Sequence, residues 1–174
     1  HASFNFEVAG TGEWVSFTRT DMLYYPASAN STGDSGIWQL VPVDPGDARK
    51  GDWYYLMNEW PGHGASVDSR YGDWVSFTGT TMELYDAHDM DGRAPWKVVP
   101  VAGQPGTYHL QNMWRNGTDS RAGMWAGANG TSMILTPDDG KWTQRGTYIF
   151  HKATPPKPPR SYGYCVSAAG VPEQ

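Results

Sequence analysis

At 174 residues the chain has the usual size of one domain, long enough for one sizeable core and hardly for two. Its 9 Trp, 10 Tyr, 5 Phe, 21 Gly and 13 Pro, against only 18% charged residues, are a composition for short strands and many turns and exclude long amphipathic helices. Thirteen basic against eighteen acidic residues leave a net charge of -5, so no cationic field exists to neutralise a nucleic acid or to hold an anionic membrane.

In chain order, the segment from Ala2 to Ala9 comes first, and its closeness to Trp14 aligns it with Ser66 to Arg70 rather than with Tyr54 to Trp60. The next segment, Gly12-Glu-Trp-Val-Ser-Phe-Thr18, reappears as Gly72-Asp-Trp-Val-Ser-Phe-Thr78. Ile37-Trp-Gln-Leu-Val-Pro-Val43 recurs as Pro95-Trp-Lys-Val-Val-Pro-Val101, and Tyr54-Tyr-Leu-Met-Asn-Glu-Trp60 as Tyr108-His-Leu-Gln-Asn-Met-Trp114. A more worn third copy runs through Asp119-Ser-Arg121, which echoes Asp68-Ser-Arg70, then Trp125, Met133-Ile-Leu135 and Tyr148-Ile-Phe150. From the leading Trp to the next Met is eight residues in every copy: Trp14 to Met22, Trp74 to Met82, Trp125 to Met133. Within each unit the apolar residues alternate or form short runs bounded by Gly, Pro, Asn and Asp, as in Met82-Glu-Leu-Tyr85 and Trp96-Lys-Val-Val99.

Three units of about four strands predict an all-β chain, a closed three-fold barrel capped by hairpins, the β-trefoil. The repeats fall at about 1–51 plus 161–170, 52–105 and 106–153, with a Pro-rich connector at 154–160. On this reading the first unit lacks its opening strand, and the tail Ser161-Tyr-Gly-Tyr-Cys-Val-Ser167 supplies it and closes the barrel. The competing view makes the Pro-rich segment a semi-rigid linker to a further domain.

An aromatic-rich trefoil of this length resembles the β-trefoil lectins, both the ricin-B-like modules and the lectin domains of fungal pore-forming lectins. The ricin-like Gln-x-Trp signature is absent, since the matching triplets are Gly36-Ile-Trp38, Ala94-Pro-Trp96 and Gly146-Thr-Tyr148. The resemblance implies a sugar held by an acidic residue at the end of the second strand, an aromatic platform on the third and a polar side chain beyond it. It points to Asp68, Tyr85, Asp86 and His88 in the second repeat. In the first it points to Tyr25 and Asn30, with Glu7 one residue out of register, and in the third to Asp119 and Asp138, where Thr136 stands in place of an aromatic. Independently of family, a carboxylate accepts sugar hydroxyls and an aromatic ring covers the C–H face. Asn58 and Asn112 are secondary candidates on the same chemistry, alongside Trp60 and Trp114.

Each of these residues has a structural alternative. The repeated Trp14, Trp74 and Trp125 fit a core layer better than three platforms. The two Asp-Ser-Arg motifs fit an ion pair and turn as well as a site. Asn116-Gly and Asn129-Gly are hairpin corners as well as glycosylation acceptors, a class to which Asn30-Ser-Thr32 also belongs.

The run Asp86-Ala-His-Asp-Met-Asp-Gly92 is acidic, but Met90 interrupts the alternation of oxygen ligands a calcium loop requires. His1 beginning the chain suggests a copper-binding amine and imidazole, yet His63, His88, His109 and His151 show no paired spacing; no cofactor or metal is expected. No Gly-x-Ser-x-Gly elbow, His-Glu-x-x-His or phosphate-cradling loop is present, and Cys165 lies in a predicted strand. The expectation is therefore a non-catalytic, multivalent module whose partners are glycans or glycoproteins, with no nucleic acid partner and no membrane insertion. No run approaches the roughly 18 apolar residues of a spanning helix. A trefoil protease inhibitor working through Asp44 to Asp52 or Met57 to Ser66, and a targeting part of a larger toxin or enzyme, are the rival readings. Localisation and dimerisation through Cys165 stay open.

Overall fold

A computed structural model describes residues 1–26, 36–86, 92–137 and 145–159. Twelve strands run through them, four to a repeat. The first repeat holds β1 (Ala2–Val8), β2 (Trp14–Thr18), β3 (Asp21–Tyr25) and β4 (Trp38–Pro42). The second holds β5 (Trp53–Asn58), β6 (Trp74–Thr78), β7 (Thr81–Tyr85) and β8 (Trp96–Pro100), and the third β9 (Thr107–Asn112), β10 (Trp125–Asn129), β11 (Ser132–Thr136) and β12 (Tyr148–Lys152). Among the described residues no helix is long and apolar enough to cross a membrane.

The outer strands of each repeat pair in a ring, β1 with β4, β4 with β5, β5 with β8, β8 with β9, β9 with β12 and β12 with β1, all antiparallel. The ring has no free edge, which removes the main aggregation hazard of a β protein. The inner strands form the hairpins β2–β3, β6–β7 and β10–β11, and β3, β7 and β11 meet one another in a triangle over one end. Its three contacts repeat atom for atom: Leu84 N–H donates to the Thr20 carbonyl, Leu135 to Thr80 and Tyr24 to Thr131, each at 2.8 Å. This is the β-trefoil that the repeats predict.

The expectation of a missing opening strand is corrected, because β1 fills that place. Glu7 pairs with Trp14 as Met57 pairs with Trp74 and Gln111 with Trp125. The connection between β1 and β2 is the reason for the mismatch in sequence: five residues, Ala9 to Glu13, stand where the other repeats have fifteen, Glu59 to Asp73, and twelve, Met113 to Met124. The barrel closes through β1 and β12, with Phe6 stacked on Phe150 at 4.3 Å between ring centroids. The tail expected to do this, with Cys165, lies outside the described residues.

The core layer is built from the closing aromatics, Trp38, Trp96 and Tyr148, all fully buried, and not from Trp14, Trp74 and Trp125, which are only partly buried. Strand alternation explains the exchange, since Val15, Val75 and Ala126, one position on, point inward instead. The Trp38 indole N–H donates to the Val15 carbonyl and that of Trp96 to Val75. In the third repeat the shorter Tyr148 cannot reach in the same way. Its hydroxyl meets that of Tyr24 at 2.6 Å, and Tyr24 in turn donates to the Gly127 carbonyl at 2.8 Å. Burial pushes both phenols up, so both remain protonated donors.

Candidate functional site

The ladder registers align side chains from barrel to cap on the outer surface, since residues directly opposite across antiparallel strands share a face. Three outward rows result. The first repeat presents Glu7, Trp14 and Tyr25, the second Met57, Trp74 and Tyr85, and the third Gln111, Trp125 and Thr136, every member partly exposed. Each tryptophan rests against a ring one layer further along the barrel: Trp14 on His151, Trp74 on Tyr55 and Trp125 on His109. Tyr25 and Tyr85 end their strands, as the sequence implies, beside tryptophans that it assigns to the core.

The second row has the strongest polar surroundings. Tyr85 bonds the Thr78 hydroxyl, and the Arg93 guanidinium lies 5.2 Å from its ring centroid. Asp86, exposed, comes next in the chain, and Asp73 precedes Trp74 across the mouth of the hairpin. Burial first, and then repulsion from Asp86 and Asp68, push the Asp73 carboxyl up to about 6, with Arg70 opposing. The Trp74 indole N–H is shielded from solvent and has no hydrogen-bond partner among the described residues. The row therefore combines apolar ring faces with an unsatisfied donor and two carboxylates.

Asp68 and Asp119 stand elsewhere. Neither ends a strand; both lie in loops between the first and second strands of their repeats, where each builds the ion pair and turn. Asp68 Oδ1 accepts from the Arg70 backbone N–H at 2.9 Å and from its Nε at 2.8 Å, while Oδ2 accepts from Nη2 at 2.9 Å. Asp119 holds Arg121 in the same way. The remaining guanidinium nitrogen reaches the preceding repeat, with Arg70 Nη1 donating to the Arg19 carbonyl and Arg121 Nη1 to that of Gly79, both at hairpin tips. The guanidinium lies against both Phe17 and Trp60 in one case and both Phe77 and Trp114 in the other, each pair of rings meeting edge to face beside it. The arginine hydrogen bonds hold the Asp68 carboxyl below its usual range and that of Asp119 down to about 2. These carboxylates are largely spent on joining repeats, and one acceptor direction on each Oδ2 remains for a ligand.

Asn58 and Asn112 are corrected outright. Both are completely buried at the position Val8 holds in the first repeat. Their amides are satisfied inside: Asn58 donates to the Arg70 carbonyl and accepts from Trp60 N–H, and Asn112 donates to Arg93 and accepts from Trp114 N–H. A ligand cannot reach them. Asn116 makes the turn expected of it, its Oδ1 accepting from the Thr118 N–H and hydroxyl, and Asn129 ends β10 at a hairpin corner. Asn30, His88 and Asp138, with most of the Asp86 to Gly92 run, lie outside the described residues. Among the described residues no group of three or more His, Cys, Asp or Glu could hold a metal ion.

The sequence reading missed one cluster. His151 Nε2 lies 2.7 Å from Glu7 Oε1 beside Trp14. The two are 144 positions apart, so no local motif could have revealed the pair.

No protein-family model and no curated protein matches the sequence. Among solved structures, the chain is similar to SeviL bound to the asialo-GM1 saccharide, with a TM-score of 0.59 and 15% identity over 88% of this chain and 98% of that one. It is similar to the BEL β-trefoil, with a TM-score of 0.60 and 10% identity over 87% and 93% of the two chains. A third match is a GlcNAcα1-4Gal-releasing endo-β-galactosidase from Clostridium perfringens, with a TM-score of 0.62 and 11% identity over 88% of this chain but only 33% of that one. At these identities the likeness is one of fold, and the fold is the β-trefoil.

Proposed function

We propose that the chain is a carbohydrate-binding module that holds glycans on the outer flanks of its repeats, without catalysing a reaction. The observation that carries this reading is the row Trp74–Tyr85 with Asp86 and Asp73 at its edge: two partly exposed aromatic side chains directly opposite one another in the ladder, beside two carboxylates that accept hydroxyls. A pyranose has one C–H face and hydroxyls in fixed directions, and this strip offers a counterpart to each. Tyr25 gives the first repeat a similar strip, while Thr136 leaves the third without its second ring. The module is therefore divalent, and two weak sites on different flanks gain avidity on a glycan-covered surface. A saccharide bound to a neighbour of the same fold supports the reading in kind. Asp68 and Asp119 serve mainly as positioning residues that fix the flanks.

A glycan array probed with the intact chain and with Tyr85→Ala tests this, beside an assay for protease inhibition. The expected result is one glycan class bound, with signal reduced in the variant and thermal midpoint close to that of the parent. Absence of any bound glycan, or inhibition of a protease without glycan binding, overturns it.

A further inference from the structure

The three flanks share a backbone plan but differ in what surrounds the tryptophan, and the first is set apart. Around Trp74 the equivalent barrel positions hold Met57, Tyr55 and Val41, which offer ring and aliphatic surface and a single phenol hydroxyl. Around Trp125 they hold Gln111, His109 and Val99, and His109 is buried with Nδ1 bonded to the Gly146 carbonyl at 2.9 Å, so that imidazole is part of the framework. Around Trp14 they hold Glu7, Asn5 and His151. Here the imidazole is on the surface, with its side chain 45% exposed, and its Nε2 faces Glu7 Oε1 at 2.7 Å. The His151 ring centroid is 5.4 Å from that of Trp14, at 52° to it. Glu7 Oε2 has no hydrogen-bond partner among the described residues, and the Tyr25 phenol lies at the far end of the same row.

A flank that served packing alone has no use for a carboxylate–imidazole pair against an indole, the imidazole 45% and the carboxylate side chain 20% exposed; the second flank fills the same places mainly with apolar side chains. We infer that Glu7, His151 and Trp14, brought together by β1, β12 and β2 where the barrel closes, form a ligand site for an uncharged pyranose unit. Trp14 covers the C–H face, Glu7 Oε2 accepts a hydroxyl, and His151 fixes the carboxylate while offering its second ring nitrogen. The carboxylate repels sialylated, sulfated or uronic units, so the site is selective against anionic sugars. This rests on the reading of the flanks as glycan surfaces, and it adds the polar groups and the charge preference of one of them.

The test monitors the Trp14 indole and His151 ring signals by NMR while methyl β-galactoside, methyl N-acetyl-β-glucosaminide and, separately, sialic acid are added to the intact chain. It uses the parent, Tyr85→Ala, and Tyr85→Ala combined with Glu7→Gln. At least one neutral glycoside is expected to shift both signals in the parent and in Tyr85→Ala, and sialic acid to leave them still. Glu7→Gln is expected to weaken that binding about tenfold, the scale of one charge-assisted hydrogen bond, at unchanged thermal midpoint. Neutral glycosides that move neither signal, equal shifts with sialic acid, or undiminished affinity in Glu7→Gln each overturn the inference. If the array finds glycan binding while these signals stay still, only this site falls; if the array finds none, the broader reading falls as well.

Discussion

Arg145 grips Glu13 across 132 positions of sequence, Nε to Oε1 at 2.9 Å and Nη2 to Oε2 at 2.5 Å, and places Nη1 2.6 Å from the Gly130 carbonyl at the third hairpin tip. The other two tips are held by Arg70 and Arg121 from Asp-Ser-Arg loops. The first repeat has no such loop, because its connection is too short, and an arginine from the end of the third repeat completes the set from the opposite direction. All three junctions thus have one arginine, one carboxylate and one tip carbonyl.

Glu13→Gln weakens this grip and is expected to lower stability by about 1 kcal/mol at neutral pH, at the modest end for a partly exposed charged pair. The Arg145 hydrogen bond depresses the folded carboxyl below its unfolded value. Its contribution is therefore complete above the unfolded value and disappears as pH falls through the folded one. Thermal midpoints measured from neutral to strongly acidic pH should converge for parent and variant; a constant gap would show that the charge plays no part.

Asp73 has the opposite sign. Its carboxyl is pushed up to about 6, above the unfolded value, so folding favours the proton and stability declines as pH rises from about 4 through 6. Asp73→Asn should stabilise the fold above that window and change little below it. Chemical denaturation at two pH values either side of the window checks this, and an equal effect at both would contradict it.

Arg19 occupies the left-handed region with φ 53°, where Gly79 at 59° and Gly130 at 62° stand in the other two hairpin tips. A non-glycine residue there costs about 1 kcal/mol, and the Arg19–Asp21 pair, with the arginine side chain 80% exposed, returns little. Arg19→Gly should raise stability by up to about 0.5 kcal/mol once the greater freedom of glycine in the unfolded chain is deducted. The Arg70 bond goes to the backbone carbonyl at this position and is retained. Thermal unfolding of the variant beside the parent checks the sign, and a lowered midpoint would contradict it.

Tyr24 and Tyr148 should respond unequally to loss of a hydroxyl. Tyr148→Phe leaves Tyr24 bonded to the Gly127 carbonyl, whereas Tyr24→Phe strands the Tyr148 hydroxyl in the core and takes one bond from that carbonyl, which keeps its place in the β10–β11 ladder. An unsatisfied buried polar group costs about 1 to 3 kcal/mol, so Tyr24→Phe should be the more destabilising by roughly that amount. Urea denaturation of both single variants and the double variant measures the difference, and equal losses would contradict the relay.

Much of this fold is written in the near-identical copies around Trp14 and Trp74, because alternation and turn residues act locally and repetition multiplies their signal. The opening strand escaped that logic because a short connection changed its distance from Trp14 while leaving its pairing intact. Face assignment escaped it too. Trp14-Val15 and Trp74-Val75 are apolar at both positions, so period-two patterning cannot tell which of each pair turns inward. Asn58 and Asn112 looked like ligands because their type is polar, but a buried amide that closes its own loop carries the same letter as one that meets a sugar. Tyr25 and Tyr85 were legible as strand-ending rings, whereas the Glu7–His151 pair depends wholly on the meeting of the first and last strands.

The substitution of tyrosine for tryptophan at position 148 has an effect on modularity. The second repeat contains its own core indole, its own aspartate–arginine pair and its own tyrosine platform, so three tandem copies of it would satisfy one another at every junction. The third repeat has Leu135 where the first has Tyr24, and three copies of it would bury three phenols with no hydroxyl to receive them. Segments that descend from one pattern have become specialised parts, each tolerable only beside the neighbour it now has.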